Sequence, residues 1–109
     1  MDMQKYLSSV LSEVGIPYSF VARGESRLPM LVFNYRERPK DFWDNEQQST
    51  RYSVYVNLFA TGNYLQYKNK ILEVMKNAGF GLIEVPQAIY LEDIGVFNQP
   101  FSFEYYYEK

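Results

Sequence analysis

The 109-residue chain contains neither cysteine nor histidine, which narrows the chemistry open to it. Disulfides and thiolate nucleophiles are excluded, as are the usual zinc sites and every triad or dyad that relies on an imidazole base. Catalysis would have to run on Asp, Glu, Lys, Tyr or Ser alone, so the composition points to a protein that is not an enzyme and carries no cofactor. Glu92 and Asp93, with Glu84 close in sequence, are the nearest approach to a carboxylate metal site. Neighbouring strand residues point to opposite faces, so only one of the pair could join a shared site, and a solvated turn explains them better. Lys68, Lys70 and Lys76 read as the wet face of a helix. The "GFG" at 79–81 is a helix stop followed by a strand rather than a phosphate-binding loop.

Two groups of aromatic residues remain. The chain ends on "IGVFNQPFSFEYYY" (94–107), in which Phe101, Phe103, Tyr105 and Tyr107 alternate with Ser102, Glu104 and Tyr106. Such a strand can line a core, stack nucleic-acid bases or meet another subunit. Base stacking needs cations beside the rings to follow the phosphate backbone. This strand offers Glu104, and the other aromatic strand only Arg51 at its end. A core role for Phe101, Phe103 and Tyr105 is therefore the stronger reading. The second group is "DFWD" (41–44), which sets Phe42 and the chain's one Trp, Trp43, beside Asp44 in a polar stretch. Exposed rings there are costly unless they fold back, dock on another subunit, where single buried rings act as anchors, or close over a ligand.

The elements that would position these residues follow from periodicity. In residues 2–14, Tyr6, Leu7, Val10, Leu11 and Val14 fall on one helical face, with Asp2 as cap and Gly15 and Pro17 as stops. "YSFVA" (18–22) and "MLVFNYR" (30–36), joined by a turn-rich segment, predict a β-hairpin. Residues 37–49 lack periodicity and predict a long loop, mobile in the free chain. "RYSVYVNLFA" (51–60) is the strongest strand, apolar on both faces and hence interior. Residues 63–77 predict a second helix, capped by Thr61 or Asn63, burying Leu65, Ile71, Leu72 and Met75 and stopped by Gly79. Strand-type residues recur in "FGLIEVP" (80–86) and "AIYLED" (88–93), ahead of the final strand. The expected fold is one α+β domain: an antiparallel four- to five-stranded sheet in the order α-β-β-β-α-β-β, with both helices on one face.

At this length a chain buries roughly 65% of its unfolded surface, enough for one core without staples. The net charge of −2 argues against a general nucleic-acid binder, which ordinarily carries a basic excess. No apolar run reaches membrane-spanning length, and the N-terminus has no signal-like pattern, so a cytosolic location is expected.

The succession "YSVYVNLFA", "TGNYLQYKNKILEVMKNAGF" and "YLEDIGVFNQPFSFEYYY", over about residues 51–107, resembles the tail-completion proteins of long-tailed bacteriophages and prophages. These are the tail terminators and head–tail joining proteins. Where many of them have a basic residue or histidine after the turn, this chain has Phe97-Asn98-Gln99. The resemblance implies a protomer that works as a closed ring, commonly a hexamer, capping the tail tube protein and meeting the head connector. It implies a place in the virion, reached from the host cytoplasm during assembly. On this reading the loop is ordered by neighbouring subunits, and Phe42, Trp43, Asp44 and Tyr106 are the expected subunit interface. The alternative of a different class is a single-stranded nucleic-acid binding module that uses an aromatic sheet face.

Overall fold

A computed structural model describes residues 1–21, 28–39 and 49–108. The first helix, α1 (Met3–Leu11), begins where the Asp2 side chain accepts a hydrogen bond from the Lys5 backbone N–H at 3.0 Å. It runs into a 3-10 turn (Ser12–Val14) that ends at Gly15, whose φ of 85° suits a residue without Cβ. Leu7, Val10 and Leu11 are buried as their spacing requires, joined by Met3 one turn earlier.

The sheet has six strands: β1 (Tyr18–Phe20), β2 (Met30–Pro39), β3 (Ser49–Ala60), β4 (Gly81–Glu84), β5 (Ile89–Leu91) and β6 (Val96–Glu108). Spatially the order is β1-β2-β3-β6-β4, with β5 alongside β4 on the same edge of β6. Strand β3 is interior, as its two-sided apolar pattern requires. The second helix, α2 (Tyr64–Asn77), connects β3 to β4.

Three expectations are corrected. The sheet is mixed and six-stranded, because β1 pairs with β2 in parallel, with Tyr18 opposite Leu31 and Phe20 opposite Phe33. A strand of three residues spans only about 10 Å, so the nine residues that follow it are long enough to return the chain to its start. The Leu31 N–H then donates to the Pro17 carbonyl, and the Val21 N–H to that of Phe33. Secondly, three strands follow α2 rather than two. Thirdly, the expected loop at 37–49 is shorter: β2 and β3 stay paired out to Pro39 opposite Thr50. The charged "RER" segment is compatible with a strand because both its faces are open to water, with Arg36, Glu37 and Arg38 all exposed.

Both helices pack on one face of this sheet. Met3, Leu7 and Leu11 of α1 and Ile71, Val74 and Met75 of α2 share one core with Leu31, Phe33, Val54, Val56, Leu58, Phe101 and Phe103. The buried stripe of α2 differs in phase from the expected one. Ile71, Val74 and Met75 are buried, Tyr64 and Tyr67 pack partly against the core, Leu72 is only half-buried, and Leu65 is 57% exposed. The helix starts at Tyr64, and positions 64, 67, 71, 74 and 75 form a single 3.6-residue stripe that leaves Leu65 to one side. Asn63 occupies the N-cap position in a left-handed conformation without a side-chain capping bond. Gly79, with φ of 93°, stops the helix as expected.

The sheet is much longer than its cover. Strands β3 and β6, of 12 and 13 residues, extend about 40 Å, whereas the 14-residue α2 is about 21 Å long. Tyr105, opposite Tyr52, still packs against Tyr6 of α1 and against Phe80 just after α2, so the ribbon runs beyond the helices from there outward, by about three residues of β3 and of β6. On β2 burial follows this, with Met30 to Phe33 buried and Asn34 to Arg38 open apart from half-buried Tyr35, whereas on interior β3 Thr50 and Tyr52 stay buried. The long axis measures 50 Å against 24 and 23 Å. The Cα radius of gyration of 15.0 Å exceeds the roughly 13 Å of a compact chain of this length.

Candidate functional site

On its helix side the ribbon is lined with tyrosines from the margin of the core to its free end. Tyr35 and Tyr52 meet edge to face with ring centroids 6.0 Å apart, and Tyr105 and Tyr107 continue the row along β6. Burial raises the Tyr52 phenol above its usual pKa, and the neighbouring Glu37 adds to the shift. Nearer the body, Tyr6 donates a 2.7 Å hydrogen bond to the Ala78 carbonyl, and its ring contacts include Phe80 and Tyr105. Its phenol too is raised, chiefly by burial and then by Tyr105. Tyr105 is thus part of the helix-side packing, at its margin rather than its centre.

The opposite, helix-free face carries a different set. The register places Asn34, Arg36 and Arg38 of β2 opposite Tyr55, Ser53 and Arg51 of β3, and Tyr106 of β6 opposite Arg51. Partners in an antiparallel ladder share a face, so three arginines and two tyrosines occupy one end of this surface. Tyr106 is exposed, and its hydroxyl donates to Glu104 Oε2 at 3.4 Å. An open hollow of about 260 Å³ lies here, bordered by Arg51, Ser53, Tyr55, Ser102 and Glu104. The arginine row is legible only when the strand alternation is carried through "NYRER", which the polar character of that segment obscures.

Of the expected interface residues, Tyr106 stands on this open face as its alternation requires. Phe42, Trp43 and Asp44 lie outside the described residues. Glu84 sits on β4, and Glu92 and Asp93 in the turn between β5 and β6, all exposed. Among the described residues no group of three or more acidic side chains could hold a metal ion, and no helix is long and apolar enough to cross a membrane.

The two sheet edges form the other notable surfaces. Strand β1 carries exposed Tyr18 and Phe20, with exposed Val21 next to them. At the far edge, Leu82 and Ile83 on β4, Ile89 and Tyr90 on β5, and Ile94 in the following turn are exposed to about the same degree. A notch of about 330 Å³ opens beside β4, lined by Leu72, Lys76, Phe80, Leu82 and Phe103. Further along β6, buried Gln99 donates from Nε2 to the Pro86 carbonyl at 2.7 Å and the Pro100 carbonyl at 2.8 Å, tying the β4–β5 connection to β6. Sequence reasoning passed over both edges, since edge position depends on pairing elsewhere in the chain. No protein-family model matches the chain, and neither does any curated protein.

Proposed function

We propose that the protein is a non-enzymatic structural component that assembles with copies of itself into a ring, completing a phage tail or joining the tail to the head. The observation that carries this reading is the long β2–β3–β6 ribbon. A monomer gains little from extending a three-stranded sheet about 10 Å past its helices, whereas such an arm suits contact with neighbouring subunits. The resemblance of residues 51–107 to tail-completion proteins gives the assembly its setting, with the tail tube and head connector as partners and the virion as destination. Phe42, Trp43 and Asp44, between the ends of β2 and β3, and Tyr106 on the ribbon are the contact residues of this reading. Negative-stain electron microscopy of the purified chain tests self-assembly, with closed rings expected. Disrupting the gene in its phage or lysogen tests the setting: unjoined heads and tails support it, and intact infectious particles refute it.

The Arg36, Arg38, Arg51, Tyr55 and Tyr106 surface favours a second reading, binding of single-stranded nucleic acid through stacking and phosphate contacts. Three neutralised phosphates would give log K against log salt a slope of about −2 on a single strand. Fluorescence anisotropy with a labelled oligonucleotide decides this, because binding without that slope, or no binding, removes the reading.

A further inference from the structure

We infer that copies of this chain join head to tail, the β1 edge of one pairing with the β4 edge of the next, so that Tyr18 and Phe20 of the first copy cover Leu82 and the apolar notch of its neighbour. This deepens the ring reading above by naming the junction, and it rests on that reading.

Four observations converge on a second copy as the occupant. Among the described residues no further strand lies outside β1 at one end of the sheet order or outside β4 and β5 at the other, and open strand edges are templates for further pairing. They match in length, three residues on β1 against four on β4. They also match in direction. β2 runs antiparallel to β3, β3 to β6 and β6 to β4, while β1 runs with β2. A neighbour placed in the same orientation therefore sets its β1 antiparallel to β4, the better-paired arrangement.

The fourth observation concerns the faces. Tyr18 and Phe20 stand opposite Leu31 and Phe33 in the register, and their rings approach Phe33 at 6.3 and 5.5 Å, so they project on the helix side. Leu82, opposite Phe103, lies on that side as well, and the notch between α2 and β4 opens beside it. Continuing the sheet across the junction thus brings the two rings toward the notch. Its 330 Å³ is at the small end of ligand pockets, a size for one or two side-chain rings rather than a metabolite.

Area points the same way. Among the described residues, eight of the eleven exposed large apolar side chains belong to these two edges. At roughly 100 Å² apiece they supply about half the total surface that a standard interface buries, before backbone and polar rim are added. Val21, a β-branched residue held at φ 74° beside the edge, adds the local backbone strain that accompanies functional positions. Two unlike patches make a heterologous contact, which propagates and closes into a ring when the rotation per copy permits.

The test uses native mass spectrometry on the full chain and two variants, Phe20→Lys and Leu82→Lys, each checked for fold by circular dichroism. Both positions are exposed, so the monomer should persist. If either variant fails to fold, Tyr18→Lys or Ile83→Lys replaces it at the same edge. The wild-type chain is expected to form oligomers, each variant alone to be monomeric with association weakened about thirtyfold or more, and the mixed variants to form one-to-one heterodimers through the junction left intact. Wild-type rings that survive both substitutions would overturn this junction while leaving the ring reading standing. Variants that each dimerise alone, with no heterodimer on mixing, would show like edges pairing and overturn it equally. A wild-type chain that stays monomeric would overturn both.

Discussion

Replacing Phe103 with Ala is the sharpest probe of the core. Phe103 sits on β6 between Val54 and Leu82 in the register, only 3% exposed, with its ring 6.1 Å from Phe101 and 6.4 Å from Phe80. Truncating a buried Phe to Ala costs about 3–5 kcal/mol, the sum of lost transfer energy and the void left behind. Here the void would join the notch beside β4, where Leu82 and Lys76 have room to settle inward, which places the expected loss near the lower end, about 3 kcal/mol. With an unfolding entropy of about 2.1 cal/mol/K per residue over 109 residues, that corresponds to a fall in Tm of about 13 °C. The assay is urea denaturation followed by tyrosine and tryptophan fluorescence, at two protein concentrations so that self-association is separated from folding. The slope should stay constant while the midpoint drops by roughly 2–3 M. Leu82→Ala, at a half-exposed edge position, should cost under about 1 kcal/mol in the same assay. A Phe103→Ala loss below about 1 kcal/mol would refute this packing and place the ring against solvent or a partner.

Gln99→Leu keeps the side-chain volume but leaves the Pro86 and Pro100 carbonyls without their donor, so a loss of about 1–3 kcal/mol is expected, together with faster amide hydrogen exchange over residues 81–91; unchanged exchange there would refute its tethering role. Because burial raises the Tyr6 and Tyr52 phenols, their contribution is fully present below the ordinary phenol pKa of about 10 and is lost as pH rises through the folded-state values. Urea midpoints should accordingly fall above about pH 10, and less steeply when Tyr6→Phe and Tyr52→Phe are combined; an equal slope in the variant would refute the assignment. Val21→Gly relieves a left-handed β-branched residue and should leave the monomer as stable or up to about 1 kcal/mol more stable, while weakening self-association; a lower Tm would contradict the strain. Phe42→Ala with Trp43→Ala should leave the monomer's Tm unchanged and weaken ring formation, with wild-type Trp43 emission moving to the blue as rings form; emission already blue-shifted and quencher-shielded in a verified monomer would remove these rings from the interface.

Some of this architecture follows from the sequence alone because it depends on near neighbours. The first helix is set by Asp2 at its cap, the Leu7, Val10 and Leu11 spacing and the glycine at 15. Strand β3 is set by the unbroken alternation of Tyr52, Val54, Val56 and Leu58, and its interior place by apolar residues on both faces. The alternation of Phe101 and Phe103 with Ser102 and Glu104 decides which side of β6 is buried. Tertiary structure decided the rest, through contacts between distant segments. Whether β1 meets β2 as a hairpin or in parallel turns on where the chain re-enters the sheet, and both paths use the same residues. The polar segment after Phe33 becomes strand because β3 offers a continuous ladder out to Thr50, a partner invisible to local propensity. The phase of α2, which buries Val74 and turns Leu65 outward, is set by the sheet beneath it. Edge position, the notch and the grouping of Arg36, Arg38 and Arg51 arise only from the pairing order, since a strand's sequence records its own alternation but not the identity of its neighbours.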